Sequence, residues 1–342
     1  MNYTSLMERA IEISMPFKYL VKPNPMVGAL ILKGDQIVSE GAHQKYGEAH
    51  AEINCFQALK EPITNEHVMV CSLEPCNHQG KTGPCTEKII ASGIKKIIIG
   101  SLDPNPKVAG MGIKKLQDAG IEVVQGILED KVKKLNKFFF FKHLNGRPFI
   151  TIKIASSADG KSHSKDGSTT WITSKKSRED VQLIRAEHDA ILTGGNTVRN
   201  DQPRMNARVD FALNQPKKLL LTSQNEWNRD MDFFQTSEVE LIAEKNLHTV
   251  INNIAQQDIN SVLVEAGPKL VRAFLKEDLC EELIEYKSPN NLGDVGVPWF
   301  EDNEAIDKFN FNLKSSYTIL SLIHISEPTR PLYISYAVFC LK

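Results

Sequence analysis

The segment Leu73-Glu-Pro-Cys-Asn-His-Gln-Gly-Lys-Thr-Gly-Pro-Cys85 carries two Pro-Cys pairs with eight residues between the cysteines, and His50-Ala51-Glu52 lies upstream of it. One imidazole and two thiolates form a borderline-soft N/S set suited to Zn²⁺, and three protein ligands leave a fourth position for water. Zn²⁺ lowers the pKa of a bound water to about 7, and hydrolysis then needs a proton carrier. Glu52, two residues from His50, is the candidate, and it is the wrong residue to complete a structural zinc site. His50, Cys76 and Cys85 are therefore the expected ligands of one ion, and Glu52 the expected catalytic acid and base. Each cysteine opens what reads as a helix or turn, where the backbone dipoles favour the thiolate. A fourth ligand from Cys71 or His78 would make the site structural and leave Glu52 without a task.

Outward from this segment, short apolar runs alternate with helical patterns. Residues 27–32 and 36–38 flank Lys33-Gly-Asp35 as a hairpin, 68–73 and 96–100 read as strands, and 121–124 as another. Helices are expected over 51–60, over 86–92 with Gly93 as its carboxyl cap, and over 112–119 ended by Gly120. Such alternation predicts an α/β sandwich with a largely parallel section. Cys55 and Cys71 read as buried small residues, and His67 as a solvated turn residue. Phe138-Phe-Phe-Phe141 suits burial at a domain junction, and Asn145-Gly-Arg-Pro148 marks a break. Beyond it the pattern restarts, with strands at 149–154, 190–193, 218–222, 239–242 and 261–264 and helices at 175–186 and 269–276.

The chain has 342 residues, with 41 Lys and Arg against 42 Asp and Glu. Two domains are the natural division at roughly 100–200 residues each. Hydrophobic residues at 41 % and charged residues at 24 % exclude disorder and disulfide-framework classes. A net charge of −1 argues against a dedicated nucleic-acid binder. No apolar run approaches the ~18–20 residues of a membrane span, and Met1 to Ser14, carrying Glu8 and Glu12, reads as an amphipathic helix rather than a signal peptide. A cytoplasmic protein without membrane or nucleic-acid partners is expected.

His-x-Glu followed by Pro-Cys and a second Cys is the signature of zinc-dependent nucleobase deaminases, commonly with two residues between the cysteines. The longer spacing here, with Pro23-Asn-Pro-Met-Val-Gly28, Gly41-Ala-His43 and Asp103-Pro-Asn-Pro-Lys-Val-Ala-Gly110, resembles the deaminase half of the bifunctional riboflavin-biosynthesis deaminase/reductase family. The family usually has Pro where this chain has Gly83. The resemblance implies a cytidine-deaminase-like α/β/α sandwich over 1–145 and substrate contacts at Asn24, His43, His78, Asp103 and Asn105.

Residues 146–319 lack the Gly-x-Gly-x-x-Gly dinucleotide fingerprint. Lys153-Ile-Ala-Ser-Ser-Ala-Asp-Gly160, Thr170-Trp-Ile-Thr173, Leu183-Ile-Arg-Ala186, Asp189-Ala-Ile-Leu-Thr193 and Val264-Glu-Ala-Gly-Pro268 resemble the reductase half of the same family, whose fold is similar to dihydrofolate reductase. The resemblance implies NADPH contacts at Ser156, Trp171, Thr197, Asp201, Ser223 and Gly267, and substrate contacts at Thr169, Arg185, Met205, Arg208 and Glu265. Arg185 and Arg208 would clamp a ribose 5-phosphate, because guanidinium pairs bidentately with phosphate oxygens. Two departures stand out: Asp201-Gln202-Pro203 replaces the usual Asp-Asp-Pro, and Met205-Asn-Ala-Arg208 replaces Leu-Thr-x-Arg. The family's activities are hydrolytic deamination of a phosphorylated diaminopyrimidine and NADPH-dependent reduction of its ribosyl group, with a homo-oligomer formed through the reductase domain.

Residues 320–342 resemble the in-frame translation of a sequencing-library adapter and are expected to be foreign to the fold. If they replace the last native strand, a sheet edge is left open and the apolar run Leu332 to Leu341 can pair wrongly or aggregate, which predicts an intact deaminase and an impaired reductase. The sequence leaves two other readings. One is a deaminase of nucleosides or nucleic-acid bases with a non-catalytic second domain, which predicts a basic groove. The other is a non-catalytic zinc scaffold, which predicts an indifferent Glu52.

Overall fold

The computed structural model describes residues 2–78, 83–106, 108–166 and 174–300, and the backbone of two further strands, Phe311–Thr318 and Ser335–Leu341. The chain divides into two compact units, one of Met1–Gly146 with Ala212–Asn214 and one of Arg147–Phe211 with Gln215–Lys342.

In the first unit, the strands are β1 (Gly28–Lys33), β2 (Gln36–Ala42), β3 (His67–Leu73), β4 (Lys96–Ser101) and β5 (Glu122–Gln125), in the order β2-β1-β3-β4-β5. β1 runs antiparallel to β2 and β3, while β3, β4 and β5 are parallel. Alternation along the strands splits the apolar residues between two faces. Ala29, Ile31, Ile97 and Ile99 meet α2 (Ala51–Ala58), α3 (Cys85–Ser92) and α4 (Met111–Asp118). Leu30, Leu32 and Ile98 meet α1 (Tyr3–Ser14), α5 (Glu129–Leu135) and α6 (Lys137–Asn145). The unit is thus an α/β/α sandwich. The phenylalanine run lies in α6, where Phe140 is buried in this unit's own core. Phe139 packs against the same core.

His67 overturns its expectation. Its side chain is fully buried, Nε2 lies 3.1 Å from Glu61 Oε1, and Nδ1 accepts from the Thr64 backbone N–H at 2.9 Å. A turn sequence hides such burial because the covering groups come from the turn itself.

In the second unit, β6 (Phe149–Ser156), β8 (Ala190–Gly194), β9 (Lys217–Leu221), β10 (Val239–Ile242), β11 (Ser261–Val264) and β12 (Glu282–Lys287) form a parallel run ordered β10-β9-β8-β11-β6-β12. Helices α10 (Leu247–Ala255) and α11 (Pro268–Lys276) cover one face through Val250, Ile254, Val271 and Phe274. Helices α7 (Lys175–Glu187), α8 (Gly195–Asp201) and α9 (Asp232–Gln235) cover the other through Val181, Val198 and Phe233. A small ribbon pairs β7 (Lys161–Ser164) with β13 (Gly296–Pro298).

The expected open edge is not found. β15 (Ser335–Leu341) lies antiparallel between β12 and β14 (Phe311–Thr318), so the edge of β12 is paired. The segment expected to be foreign to the fold thus supplies the strand that pairs β12.

Candidate active sites

α2 begins at the metal candidate: His50 is its N-cap residue and Glu52 sits in its first turn. Cys85 is the first residue of α3, and Cys76 lies in the loop leaving β3. His50 Nδ1 lies 3.5 Å from Cys76 Sγ and 3.4 Å from Cys85 Sγ, and the three ligand atoms fall within 4.8 Å of one another. The backbone N–H of Cys85 points at Cys76 Sγ, 3.4 Å away. A hydrogen bond from Cys85 draws the Cys76 thiol down to about 4, against burial and with help from His50. Cys85 moves up for the same reason, because the two sulfurs share one proton. The donor set of one imidazole nitrogen and two sulfurs fits Zn²⁺. Cys55 and Cys71 are fully buried and stand apart from this group.

Glu52 is only 3 % exposed. Burial pushes its carboxyl above the ordinary carboxylate range, and the nearby His50 opposes that rise. It lines a cavity of about 250 Å³ together with His50, Cys76, Asn24, His43, His78, Asp103 and Asn105. The structure therefore gathers all five residues expected at the substrate around the metal candidate. His43 Nδ1 lies 3.0 Å from the Ala49 carbonyl and Nε2 lies 3.0 Å from Asn24 Nδ2. The amide must donate, so Nε2 accepts and Nδ1–H donates to Ala49, which is the neutral tautomer. Burial lowers the His43 pKa in agreement. Asp103 is pushed up to about 7 by burial, although its carboxylate accepts the Asn105 N–H at 2.8 Å.

Glu74, Tyr46, Glu48 and Phe139 also line the cavity, and the sequence assigned none of them to the site, Phe139 being read there only as part of the phenylalanine run. Glu74 accepts from the backbone N–H groups of Asp103 at 3.2 Å, Gly110 at 2.9 Å and Ile113 at 3.1 Å. It ties the loop carrying Asp103 and Asn105 to the Pro75-Cys76 turn. Its place immediately before Pro75 was the available signal.

Gly41 has a positional reason. A Cβ there would collide with the backbone of Cys55 and Ala51 in α2. Gly41→Ala is expected to displace the helix that presents His50 and Glu52, costing about 1–3 kcal/mol and lowering zinc content. Gly83→Ala, where an added Cβ meets nothing described within 4 Å, is the neutral comparison. Elemental analysis and thermal unfolding of both variants check this.

In the second unit, the carboxyl ends of β8, β9 and β11 carry four of the six expected cofactor residues. Thr197 and Asp201 lie on α8, Ser223 follows β9, and Gly267 is the N-cap of α11. A Cβ at Gly267 would meet nothing described within 4 Å, and no side chain caps the nine-residue α11. Thr193 Oγ1 is buried without a described partner at the end of β8. An open helix start beside an unpaired hydroxyl fits a dinucleotide's phosphates. Ser156 is buried at the end of β6 and donates to Glu285 Oε1 at 2.6 Å. Thr169 and Trp171 lie outside the described residues.

The expected phosphate clamp is rearranged. Arg185 is buried, and its Nε and Nη2 reach the two oxygens of Glu265 at 2.5 and 2.9 Å. Its bidentate edge is committed to a carboxylate, whereas Arg208 is exposed and bonds Asn206 Oδ1 at 3.2 Å. Lys153 Nζ lies 3.8 Å from Glu265 Oε2. Burial would raise the Glu265 pKa, yet Arg185 and Lys153 hold it down to about 2. Met205 is a buried core residue. Both departures from the family pattern sit on left-handed backbone, Gln202 at φ 42° and Met205 at φ 45°. The usual Asp tolerates that conformation better than Gln at residue 202.

A zinc-type deaminase site on an α/β/α sandwich, followed by a second α/β unit built on a parallel sheet, defines a two-domain chain with a deaminase fused to a second catalytic fold. Residues 1–101 match the cytidine and deoxycytidylate deaminase zinc-binding region, and residues 148–325 match the RibD C-terminal domain. The riboflavin biosynthesis protein RibD of Aquifex aeolicus is 34% identical over 336 residues, covering 90% of this chain and 93% of that protein. Its Escherichia coli counterpart is 35% identical over 322 residues, covering 84% and 88%. The solved structure of Acinetobacter baumannii RibD is similar with a TM-score of 0.86 at 31% identity, over 99% of this chain and 98% of that one. The Thermotoga maritima diaminohydroxyphosphoribosylaminopyrimidine deaminase/5-amino-6-(5-phosphoribosylamino)uracil reductase gives 0.81 at 30% identity, over 99% of both chains. The chain belongs to the RibD family of bifunctional deaminase/reductases of riboflavin biosynthesis.

Proposed function

We propose that the first unit hydrolyses the 2-amino group of 2,5-diamino-6-ribosylamino-4(3H)-pyrimidinone 5′-phosphate. The second unit then reduces the ribosyl group of the product to ribityl with NADPH. The observation that carries this reading is the convergence of His50, Cys76 and Cys85 beside buried Glu52 on one cavity wall. His50, Cys76 and Cys85 would hold Zn²⁺, which would supply a Lewis acid able to lower the pKa of a bound water to about 7. Glu52, kept basic enough by burial, takes the water proton, passes it to the ring nitrogen, and serves the departing ammonia in turn. Asp103, with its pKa near neutrality, and the Asn24–His43 pair present hydrogen-bonding groups to a pyrimidine edge.

In the reductase unit, bound NADPH would supply the hydride that C1′ receives. The chain's part there is positioning, with Gly267 and Thr193 for the phosphates and Glu265 for the ribosyl group. Ser156, Thr197, Asp201 and Ser223, with Trp171, are read as cofactor contacts; Thr169, Met205 and Arg208 are read as substrate contacts. Arg185 orients Glu265 in this reading. Residues 1–145 are read as the deaminase domain, 146–319 as the reductase domain, and 320–342 as an adapter-like tail whose strand Ser335–Leu341 pairs within the second unit's sheet. No described helix is long and apolar enough to cross a membrane. A cytoplasmic enzyme that assembles as a homo-oligomer through its reductase domain is the reading that the family resemblance supports.

Elemental analysis together with ammonia release from the diaminopyrimidine phosphate tests the reading. One zinc per chain is expected in the wild type, and loss of both zinc and ammonia release in Cys76→Ser. Full zinc content and undiminished ammonia release in that variant would refute it.

A further inference from the structure

We propose that Arg199 reads the 2′-phosphate that separates NADPH from NADH, and so sets the cofactor choice of the reductase unit. The inference rests on the nicotinamide reading above. Arg199 lies in α8, and its side chain is held in one place. Nη2 donates to Asn196 Oδ1 at 2.6 Å and Nη1 to Gln224 Oε1 at 2.8 Å. The guanidinium carbon stands 5.3 Å from the centre of the Trp227 ring, whose Nε1 donates to the Gln224 carbonyl at 3.1 Å. A Cβ built on Gly195 would be 3.4 Å from Arg199 Nη1 and 3.1 Å from Thr222 Oγ1. The segments leaving the carboxyl ends of β8 and β9 therefore converge on this one cation.

Its partners are all neutral. Arg147, Arg185 and Arg204 in the same unit each reach a carboxylate, but no described carboxylate pairs with Arg199. The charge is oriented without being neutralised, and each terminal nitrogen keeps a second N–H for an anion. Position selects which anion. The open start of α11 and the Thr193 hydroxyl stand at β11 and β8, while Arg199 and Gln224 stand at β8 and β9 on the side away from β11. A dinucleotide with its pyrophosphate at the first place has one end towards β6, whose Lys153 reaches Glu265 at the end of β11, and the other towards β9. The β9 end is the adenosine ribose, which bears the extra phosphate of NADPH. Ser223, exposed between Thr222 and Gln224, adds a hydroxyl at the same place.

Calorimetric titration of the full chain with NADP⁺, NAD⁺, 2′,5′-ADP and 5′-AMP tests the proposal by binding alone. Arg199→Leu is expected to weaken NADP⁺ and 2′,5′-ADP by roughly 10–100-fold, the size of a lost charge-assisted hydrogen bond. NAD⁺ and 5′-AMP should change less than about twofold, which also reports an intact fold. Arg199→Lys should recover part of the loss. Equal weakening of phosphorylated and unphosphorylated ligands, or none, overturns the assignment of Arg199 while leaving the cofactor reading in place. A wild-type chain that binds neither dinucleotide overturns the cofactor reading, and this proposal with it.

Discussion

Glu52→Gln is expected to lower ammonia release by roughly 10³-fold or more while zinc content stays at the wild-type level. General acid–base catalysis by one positioned side chain contributes about 10²–10⁴-fold. Glu52 is asked to move the proton at more than one step, so its loss belongs at the upper part of that range. The amide matches the carboxylate in shape, and the site loses no metal donor, because His50, Cys76 and Cys85 form the ligand group. Glu52 is buried with its pKa raised, so the substitution removes a charge that burial already disfavours, and the fold should tolerate it. Supplied with the deaminated product, the variant should oxidise NADPH at the wild-type rate. Undiminished ammonia release would instead leave the zinc site a scaffold.

The second large effect is on stability. Glu265→Gln would leave Arg185 and Lys153 in the interior facing a neutral amide. Breaking a buried ion pair by removing one partner costs about 3–5 kcal/mol, because the remaining charge is uncompensated. At about 2–4 °C per kcal/mol, melting of this unit should fall by roughly 10 °C. The sign of the pH dependence follows from a folded-state pKa lowered from 4.5 to about 2. The stabilisation is fully present above pH 4.5 and is lost as pH falls through about 2, so the gap between wild type and variant closes over that window. Thermal unfolding at several pH values measures it. A gap that does not change between neutrality and pH 2 would mean the ion pair contributes nothing.

The first unit was largely legible because its chemistry is local. His50 and Glu52 lie on one turn of α2, and the cysteines occupy a single segment after β3. Strand alternation such as Ile97-Ile-Ile99, split between two cores, is also written plainly. Glu74 escaped notice because its partners, the N–H groups of Asp103, Gly110 and Ile113, lie well downstream of it. In the second unit, β12 and α10 were missed. Glu282 and Lys287 bound β12 with charge although it is an interior strand, and its burial comes from neighbours distant in sequence.

The amino-acid order alone determined the donor set, the acid–base candidate and the family resemblance, since each depends on residue type at short spacing. Tertiary structure decided the state of the arginines. Arg185, expected at a phosphate, is buried against Glu265, while Arg199, passed over in the sequence, is held on Trp227 with neutral partners. The physical reason is that a charge is spent or kept according to what stands within about 4 Å of it. Those neighbours come from strands and loops far apart along the chain.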